Sequence, residues 1–307
     1  TIESDGSYTV TSADGLMNIA ELVNGGKSNI NITLDTDIDL TGKDWTPIGT
    51  DYDNSYKGTF DGGGHTITGL TFTTNDEYAG LFGHLNSAGT VKNVVMEGIQ
   101  ITSNQIYGGS IGGVVGFSWG TIENCTVSGS VSGTVYVGGV VGAQWGGSIT
   151  GCSSSATVKG TVDVGGVAGQ TNSNATMTAC YATGNVTLEI APKKNIAGGG
   201  LVGMNAGSIL ACYATGNVTS TGSSTGNVHI GGFLGDNYTT VTACYWKNNH
   251  EQGIGYKKAG TVTEVTKVDG TDVTWQKAVD AMNTALQNAG SRWRYELKGA
   301  LPTLKKQ

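Results

Sequence analysis

The sequence predicts an all-β protein, a right-handed parallel β-helix with a short helical cap at each terminus. Three observations predict it. A glycine-rich motif recurs as Ala79-Gly-Leu-Phe-Gly83, Gly112-Gly-Val-Val-Gly116, Gly138-Gly-Val-Val-Gly142, Gly165-Gly-Val-Ala-Gly169, Gly199-Gly-Leu-Val-Gly203 and Gly231-Gly-Phe-Leu-Gly235. The starts lie 33, 26, 27, 34 and 32 residues apart, periods that mark stacked repeats with loops of variable length. A second motif follows: Ile122-x-x-Cys125-x-Val127, Ile149-x-x-Cys152-x-Ser154, Met177-x-x-Cys180-x-Ala182, Ile209-x-x-Cys212-x-Ala214 and Val241-x-x-Cys244-x-Trp246, with Val91-x-x-Val94 at that place in the first repeat. Finally, the residues after each cysteine alternate. Cys212, Ala214, Gly216 and Val218 fall on one side of a strand and Tyr213, Thr215, Asn217 and Thr219 on the other, the period of two that a half-buried strand requires. No repeat is long enough to bury its apolar side alone, but stacked coils pair strand on strand at about 4.8 Å per coil.

In chain order, residues 1–58 read as an N-terminal cap and lead-in. Leu16, Ile19, Ala20 and Val23 share one face of a short helix, with Ser12 or Asp14 as N-cap and Gly25 as stop. Strand-like residues 30–40 follow, then a turn-rich stretch through Gly64. Residues 59–259 form the β-helix of glycine-rich repeats. Residues 260–307 form a C-terminal cap: Trp275, Ala278, Val279, Met282, Leu286 and Ala289 keep helical spacing up to Gly290, and Trp293, Tyr295 and Leu297 alternate like a final strand. Both caps are expected to cover the open ends of the stack, which otherwise invite edge-to-edge pairing. A leucine-rich repeat would need a recurring L-x-x-L-x-L, which is absent.

Composition excludes several classes. Glycine is abundant at 51 residues but proline stands at 3, so collagen fails. β-branched residues recur throughout, so disorder fails. Residues 1–77 carry 13 acidic and 3 basic side chains, 78–250 five of each, and 251–307 six acidic and nine basic. The near-neutral middle offers no basic groove for nucleic acid, and no run of 18 apolar residues exists to span a membrane. The chain opens at Thr1 without a signal peptide; an export signal removed from, or lying outside, this stretch is the expectation.

The Gly-Gly-Leu-Val-Gly and Ala-Cys-Tyr-Ala-Thr-Gly-Asn-Val segments resemble the GLUG-motif repeat family. Asp37-Ile-Asp-Leu, Trp45-Thr-Pro-Ile-Gly49 and Gly58-Thr-Phe-Asp-Gly62 resemble its usual lead-in. The resemblance covers nearly the whole chain. It implies a pectin-lyase-like β-helix belonging to large exported bacterial surface proteins, among them filamentous-haemagglutinin-like adhesins and non-catalytic parts of IgA-cleaving metallopeptidases. It leaves the ligand open, because a fold does not fix a function.

The expected function is therefore that of a secreted or cell-surface bacterial protein: a monomeric, non-catalytic adhesin-like module binding host or bacterial glycans or matrix proteins, without cofactor or metal. A carbohydrate-active enzyme on the same fold and a structural spacer are the alternatives. Enzymes of the first kind need converging carboxylates. Between Gly98 and His250 the acids are Glu123, Asp163, Glu189 and Asp236 and the bases Lys159, Lys193, Lys194 and Lys247. They occupy different offsets in their repeats, so no constellation on one face is expected. His250-Glu251 lacks the second histidine of a zincin, since Ile254 stands there. Asp35, Asp37 and Asp39 share a strand face and read as a solvated acidic stripe rather than a cation site. Asp51-Tyr-Asp53-Asn54 lacks the glycine and distal glutamate of a calcium loop.

Two rows of aromatics are the candidate ligand-binding residues. Tyr181, Tyr213 and Tyr245 each follow a repeat cysteine by one position, so with the cysteines inward they form an exposed ladder. Trp119 and Trp145 share one offset after Gly112 and Gly138, at a turn. Such rows among hydroxyls and amides suit sugar rings, although a ladder that only stabilises stacking is the simpler reading. The five cysteines, one per coil, are expected reduced, buried and stacked, because strands in a row do not present the geometry of a bridge.

Overall fold

A computed structural model describes all residues except Thr1, Asp5 and Lys193; Lys193, counted among the bases above, lies outside the described residues. The architecture is a parallel β-helix of about seven turns with two helices. Each central coil contributes to three sheets. One coil shows the pattern: Thr121–Glu123 and Thr126–Ser132 lie in a long 21-stranded sheet, Tyr136–Gly138 in a six-stranded sheet, and Val141–Gln144 in a seven-stranded sheet. The coil-to-coil pairings are parallel, with residues matched as in Ile122↔Ile149, Val137↔Val164 and Val141↔Ala168, and a bulge between Met96 and Ile99 shifts the register in one of them. Stacking begins earlier and ends later than residues 59–259: Tyr8–Val10 and Ile32–Leu34 pair in parallel ahead of Thr59–Asp61, and Val262–Lys267 pairs with Val241–Trp246.

The two motifs have separate physical jobs. The cysteine motif makes a corner. The residue before each cysteine adopts positive φ: Asn124 (52°), Ala179 (53°), Ala211 (53°), Ala243 (51°) and Gly151 (66°). Cys125, Cys152, Cys180, Cys212 and Cys244 then turn inward, fully buried and free. The backbone N–H of Cys125 points at the Cys152 sulfur (3.4 Å), and Cys180 and Cys212 repeat this with the next cysteine. Burial pushes the Cys125, Cys180 and Cys212 thiols well up, so they behave as small apolar groups.

The glycine motif folds the six- and seven-stranded sheets against each other. A Cβ at Gly116 would lie 2.7 Å from the Ala79 nitrogen and the Ser110 oxygen, both backbone atoms of the six-stranded sheet. Glycine is thus required by close approach of two backbones. In the first coil the turn is one residue shorter. Ala79 pairs with Ile111 while Phe82 pairs with Val115, so Gly80, not Ala79, occupies the place of Gly112. Where the seven-stranded sheet ends, Thr171, Asn205 and Asn237 stack into a buried polar ladder, with Asn205 Nδ2 donating to Asn237 Oδ1 (2.8 Å).

The first helix, α1 (Ala13–Asn24), starts at Ser12, whose hydroxyl accepts from Gly15 N (3.1 Å). It buries Leu16, Ile19, Ala20 and Val23 in the main core beside the first strands. The second, α2 (Trp275–Asn288), does not close the far end. Together with the antiparallel hairpin Trp293–Glu296/Thr303–Lys306 it lies along the flank of the long sheet. The reason is where apolar surface remains: α2 turns Trp275, Ala278, Val279, Met282 and Leu286 toward a second core containing Tyr213, Tyr245, Ala179 and Ala211. Tyr295 Oη donates to the Ala211 carbonyl (2.9 Å), Trp293 lies against Gly151, and Lys306 pairs with Glu123, so the flank segment reaches back across four coils.

Candidate functional site

The flank segment decides the fate of the tyrosine ladder. The alternation holds: Tyr181, Tyr213 and Tyr245 are register partners outside the main core, and the rings of Tyr181 and Tyr213 stack at 4.8 Å and 2°. They are not, however, an exposed row. Tyr213 is fully buried, touching Trp275 and Tyr295 and donating from Oη to the Pro302 carbonyl (2.6 Å); Tyr245 is buried and Tyr181 half-buried. A polar-flanked aromatic row on the outer face attracted the C-terminal helix and hairpin instead of solvent.

Trp119 and Trp145 belong to a different surface. They meet at 5.9 Å edge to face, immediately after strands of the seven-stranded sheet, and both are half-buried. Phe117 touches Trp145 (5.2 Å), His84 (5.1 Å, stacked) and Tyr78 (5.3 Å), and His84 meets the 71% exposed Tyr52 at 5.8 Å. Burial pushes His84 down to about 4, so it is a neutral aromatic ring at neutral pH.

These side chains line a groove where the two glycine-folded sheets face each other. On the seven-stranded side the register row runs His84, Phe117, Ala143, Gln170, Met204, Asp236, Tyr256. On the six-stranded side it runs Tyr78, Ser110, Tyr136, Asp163, Ala197, His229. Six coil steps of about 4.8 Å make the groove roughly 30 Å long. Its first half is filled by aromatic rings, and Trp145 Nε1 donates to Gln170 Oε1 (3.1 Å) at the midpoint. Its second half is hollow, a cavity of about 600 Å³.

That hollow overturns the expectation that the acids of the repeats do not converge. Asp163 and Asp236 both line it and repel each other electrostatically. Asp163, 8% exposed, is pushed up to about 8 by burial and then by Asp236. Asp236 is raised by burial, against the pull of His229, whose Nδ1 donates to Asp236 Oδ1 (2.6 Å). The signal in the sequence was positional. One row is the residue two before the first motif glycine, the other the residue just after the last; the glycine fold brings those unlike offsets together.

The remaining candidates are occupied locally. His250 Nε2 donates to the Val218 carbonyl (2.9 Å) and Glu251 pairs with Lys267 (2.8 Å). Asp51 accepts from the backbone of Asp53 and Asn54 (both 3.0 Å), which holds its carboxyl low. Asp37 accepts from Thr66 N and Asp39 from Thr41 N (both 2.9 Å), and both are exposed. Among the described residues no group of three or more His, Cys, Asp or Glu is placed to hold a metal ion, and no helix is long and apolar enough to cross a membrane.

The family model of the GLUG motif matches residues 107–132 and 133–159, each taking in a cysteine-motif strand region of the stack just described. The chain thus carries GLUG motifs on two consecutive coils of a parallel β-helix. The chain is 41% identical over 102 residues, 33% of its length, to halomucin of Haloquadratum walsbyi, of which it spans 1%. It is 33% identical over 129 residues, 39% of its length, to a "Putative Gly-rich membrane protein" of Evansella cellulosilytica, of which it spans 14%. Among solved structures it resembles a "putative immunoglobulin A1 protease" from Bacteroides ovatus, with a TM-score of 0.76 and 20% identity over 99% of this chain and 93% of that one. At that identity the likeness is one of fold.

Proposed function

We propose that the GLUG repeats form a non-catalytic, adhesin-like binding module of a secreted or cell-surface protein, and that the groove between the glycine-folded sheets holds a glycan. The observation that carries this reading is the aromatic wall of Tyr52, Tyr78, Phe117, Trp119 and Trp145, backed by the buried His84 ring, which presents exposed and half-buried rings over several coil steps beside hydroxyls and amides. Aromatic faces supply apolar contact to sugar rings while polar neighbours fix orientation. A relative named as a membrane protein and the repeat architecture support placement at a cell surface.

The test is an array of host and bacterial glycans and immobilised matrix proteins, probed with the parent chain and with Trp119→Ala/Trp145→Ala. Glycan signals in the parent that fall at least about tenfold in the double variant support the reading. Absence of any glycan signal, or signals indifferent to both tryptophans, overturns it. The carbohydrate-active-enzyme reading has one observation on its side, the convergence of Asp163 and Asp236. It predicts new reducing ends from a bound glycan, and their appearance would overturn the non-catalytic reading.

A further inference from the structure

The six-stranded row places only Ala197 between Asp163 and His229, and that small side chain leaves space where Tyr78 fills the first coil. The cavity is lined by groups of unusual composition for a near-neutral solenoid: Asp163, Asp236, His229, Tyr238, Tyr256 and Lys258. Asp163 is the odd member. It is more than nine-tenths buried, and its carboxyl opens onto the cavity, where no side chain among the described residues is seen to hydrogen-bond or ion-pair with it. A buried carboxyl without a partner is costly unless something meets it.

We propose that this cavity is a pocket for one uncharged sugar ring, stacked on Tyr256 and hydrogen-bonded through its hydroxyls to Asp163 and Asp236. The inference rests on the glycan-binding reading of the groove and gives that groove a terminal subsite. The Tyr256 and His229 rings stack at 4.6 Å and 15°, and Tyr256 remains 42% exposed, so a flat apolar platform stands at the cavity edge. Asp163 in its protonated form donates and accepts; Asp236 accepts, held in place by His229 and by the Tyr238 hydroxyl. A ring with one C–H face and equatorial hydroxyls uses both features at once.

The lining suits an uncharged ligand because it carries both signs of charge and no single sign dominates. The His229 ring is spent on Asp236, and the Lys258 ammonium lies over the Tyr238 ring at 5.1 Å. An ammonium ligand drawn by Asp236 would also face Lys258, and an anion drawn by Lys258 would also face Asp236. The volume, about 600 Å³, falls within the range of small-molecule sites.

Asp163 also gives the pocket a pH response. The groups facing it are Tyr136 from the preceding coil, and Asp236, Tyr238, His229, Tyr256 and Lys258 from the following ones. Its proton is held up to about 8. Above that value the donor disappears and a second negative charge faces Asp236, so sugar binding weakens.

The experiment is saturation-transfer NMR and calorimetry with glucose, galactose, mannose and N-acetylglucosamine, with glucosamine and sialic acid as charged probes. At least one neutral sugar is expected to bind, and Tyr256→Ala and Asp163→Ala are each expected to weaken it by about tenfold or more. Asp163→Asn keeps a donor and an acceptor in place. It should bind more tightly than Asp163→Ala and, unlike the parent, hold the same affinity on either side of about pH 8. Circular dichroism confirms that each variant folds; Tyr256 is exposed and Asp163→Asn is isosteric, so both remain informative if Asp163→Ala unfolds. Preference for a charged probe, binding that survives Tyr256→Ala, or no binding of any monosaccharide while the glycan array is positive overturns the pocket and leaves the aromatic wall standing. Loss of monosaccharide binding in Trp119→Ala/Trp145→Ala with Tyr256→Ala unaffected assigns the sugar to the wall and likewise overturns it.

Discussion

Replacing Asp163 by asparagine should stabilise the protein, and by an amount that depends on pH in a defined direction. In the unfolded chain the carboxyl titrates near 3.8; in the folded protein burial and Asp236 hold the proton up to about 8. Below the lower value both states are protonated and the group is neutral in each, so it costs nothing. As pH rises past 3.8 the unfolded chain releases the proton while the folded chain keeps it, and the folded state loses about 1.4 kcal/mol per pH unit. Near pH 7 the accumulated burden reaches roughly 4 kcal/mol, and it stops growing above the folded value. Asparagine ionises in neither state and fits the same space. Allowing for relaxation around the site, Asp163→Asn should gain about 2–4 kcal/mol near pH 7 and almost nothing near pH 4. Denaturant titrations followed by tryptophan fluorescence at both pH values, with parent and variant side by side, read the difference as a shift in midpoint. A gain of the same size at both pH values would refute the reasoning by showing that Asp163 titrates alike in the folded and unfolded chain, and a loss near pH 7 would refute it by showing that the folded protein holds Asp163 ionised and partnered.

Three further outcomes follow from the packing. Gly116→Ala must force two sheets apart at a backbone contact of 2.7 Å; we expect at least about 1–3 kcal/mol of destabilisation, visible in thermal unfolding, and parent-like stability would show that the sheets can separate freely. Tyr213→Ser should remove about 3–5 kcal/mol by opening a cavity under α2 and leaving the Pro302 carbonyl without its donor, while glycan binding by the folded protein stays at the parent level; lost binding with intact stability would make the tyrosine ladder a ligand site after all. The five cysteines should resist a thiol reagent in the native state and all react after unfolding without reductant; a count of three or one would reveal a bridge.

The repeat was legible because its physical demands fall on consecutive residues. A corner needs a residue tolerant of positive φ followed by a small inward side chain, and Asn124-Cys125 or Ala211-Cys212 supplies both in two letters. The turn between the six- and seven-stranded sheets likewise writes itself as two glycines and a third. What was not legible depends on separations of tens of residues. Nothing near Tyr213 announces that Tyr295 and Pro302 will cover it. Asp163 and Asp236 stand two before one motif and five after the start of another, and only folding the glycine turn back on itself sets those positions opposite each other. The Trp119–Trp145 pair lay between these cases: the shared offset was visible, whereas its partners Phe117 and His84 appear only when the register rows are laid side by side.

The ion pair between Lys306 and Glu123 joins residues separated by 183 positions. An array whose coils touch only their neighbours can open from either end one coil at a time. Here Lys306 returns to the coil of Glu123, and Tyr295 and Trp293 seat on intermediate coils along the way. The tail therefore works as a gauge of coil number. It can seat only when the intervening turns are all present and correctly stacked, so deleting or duplicating one whole repeat, harmless in an open array, would here leave the gauge mismatched.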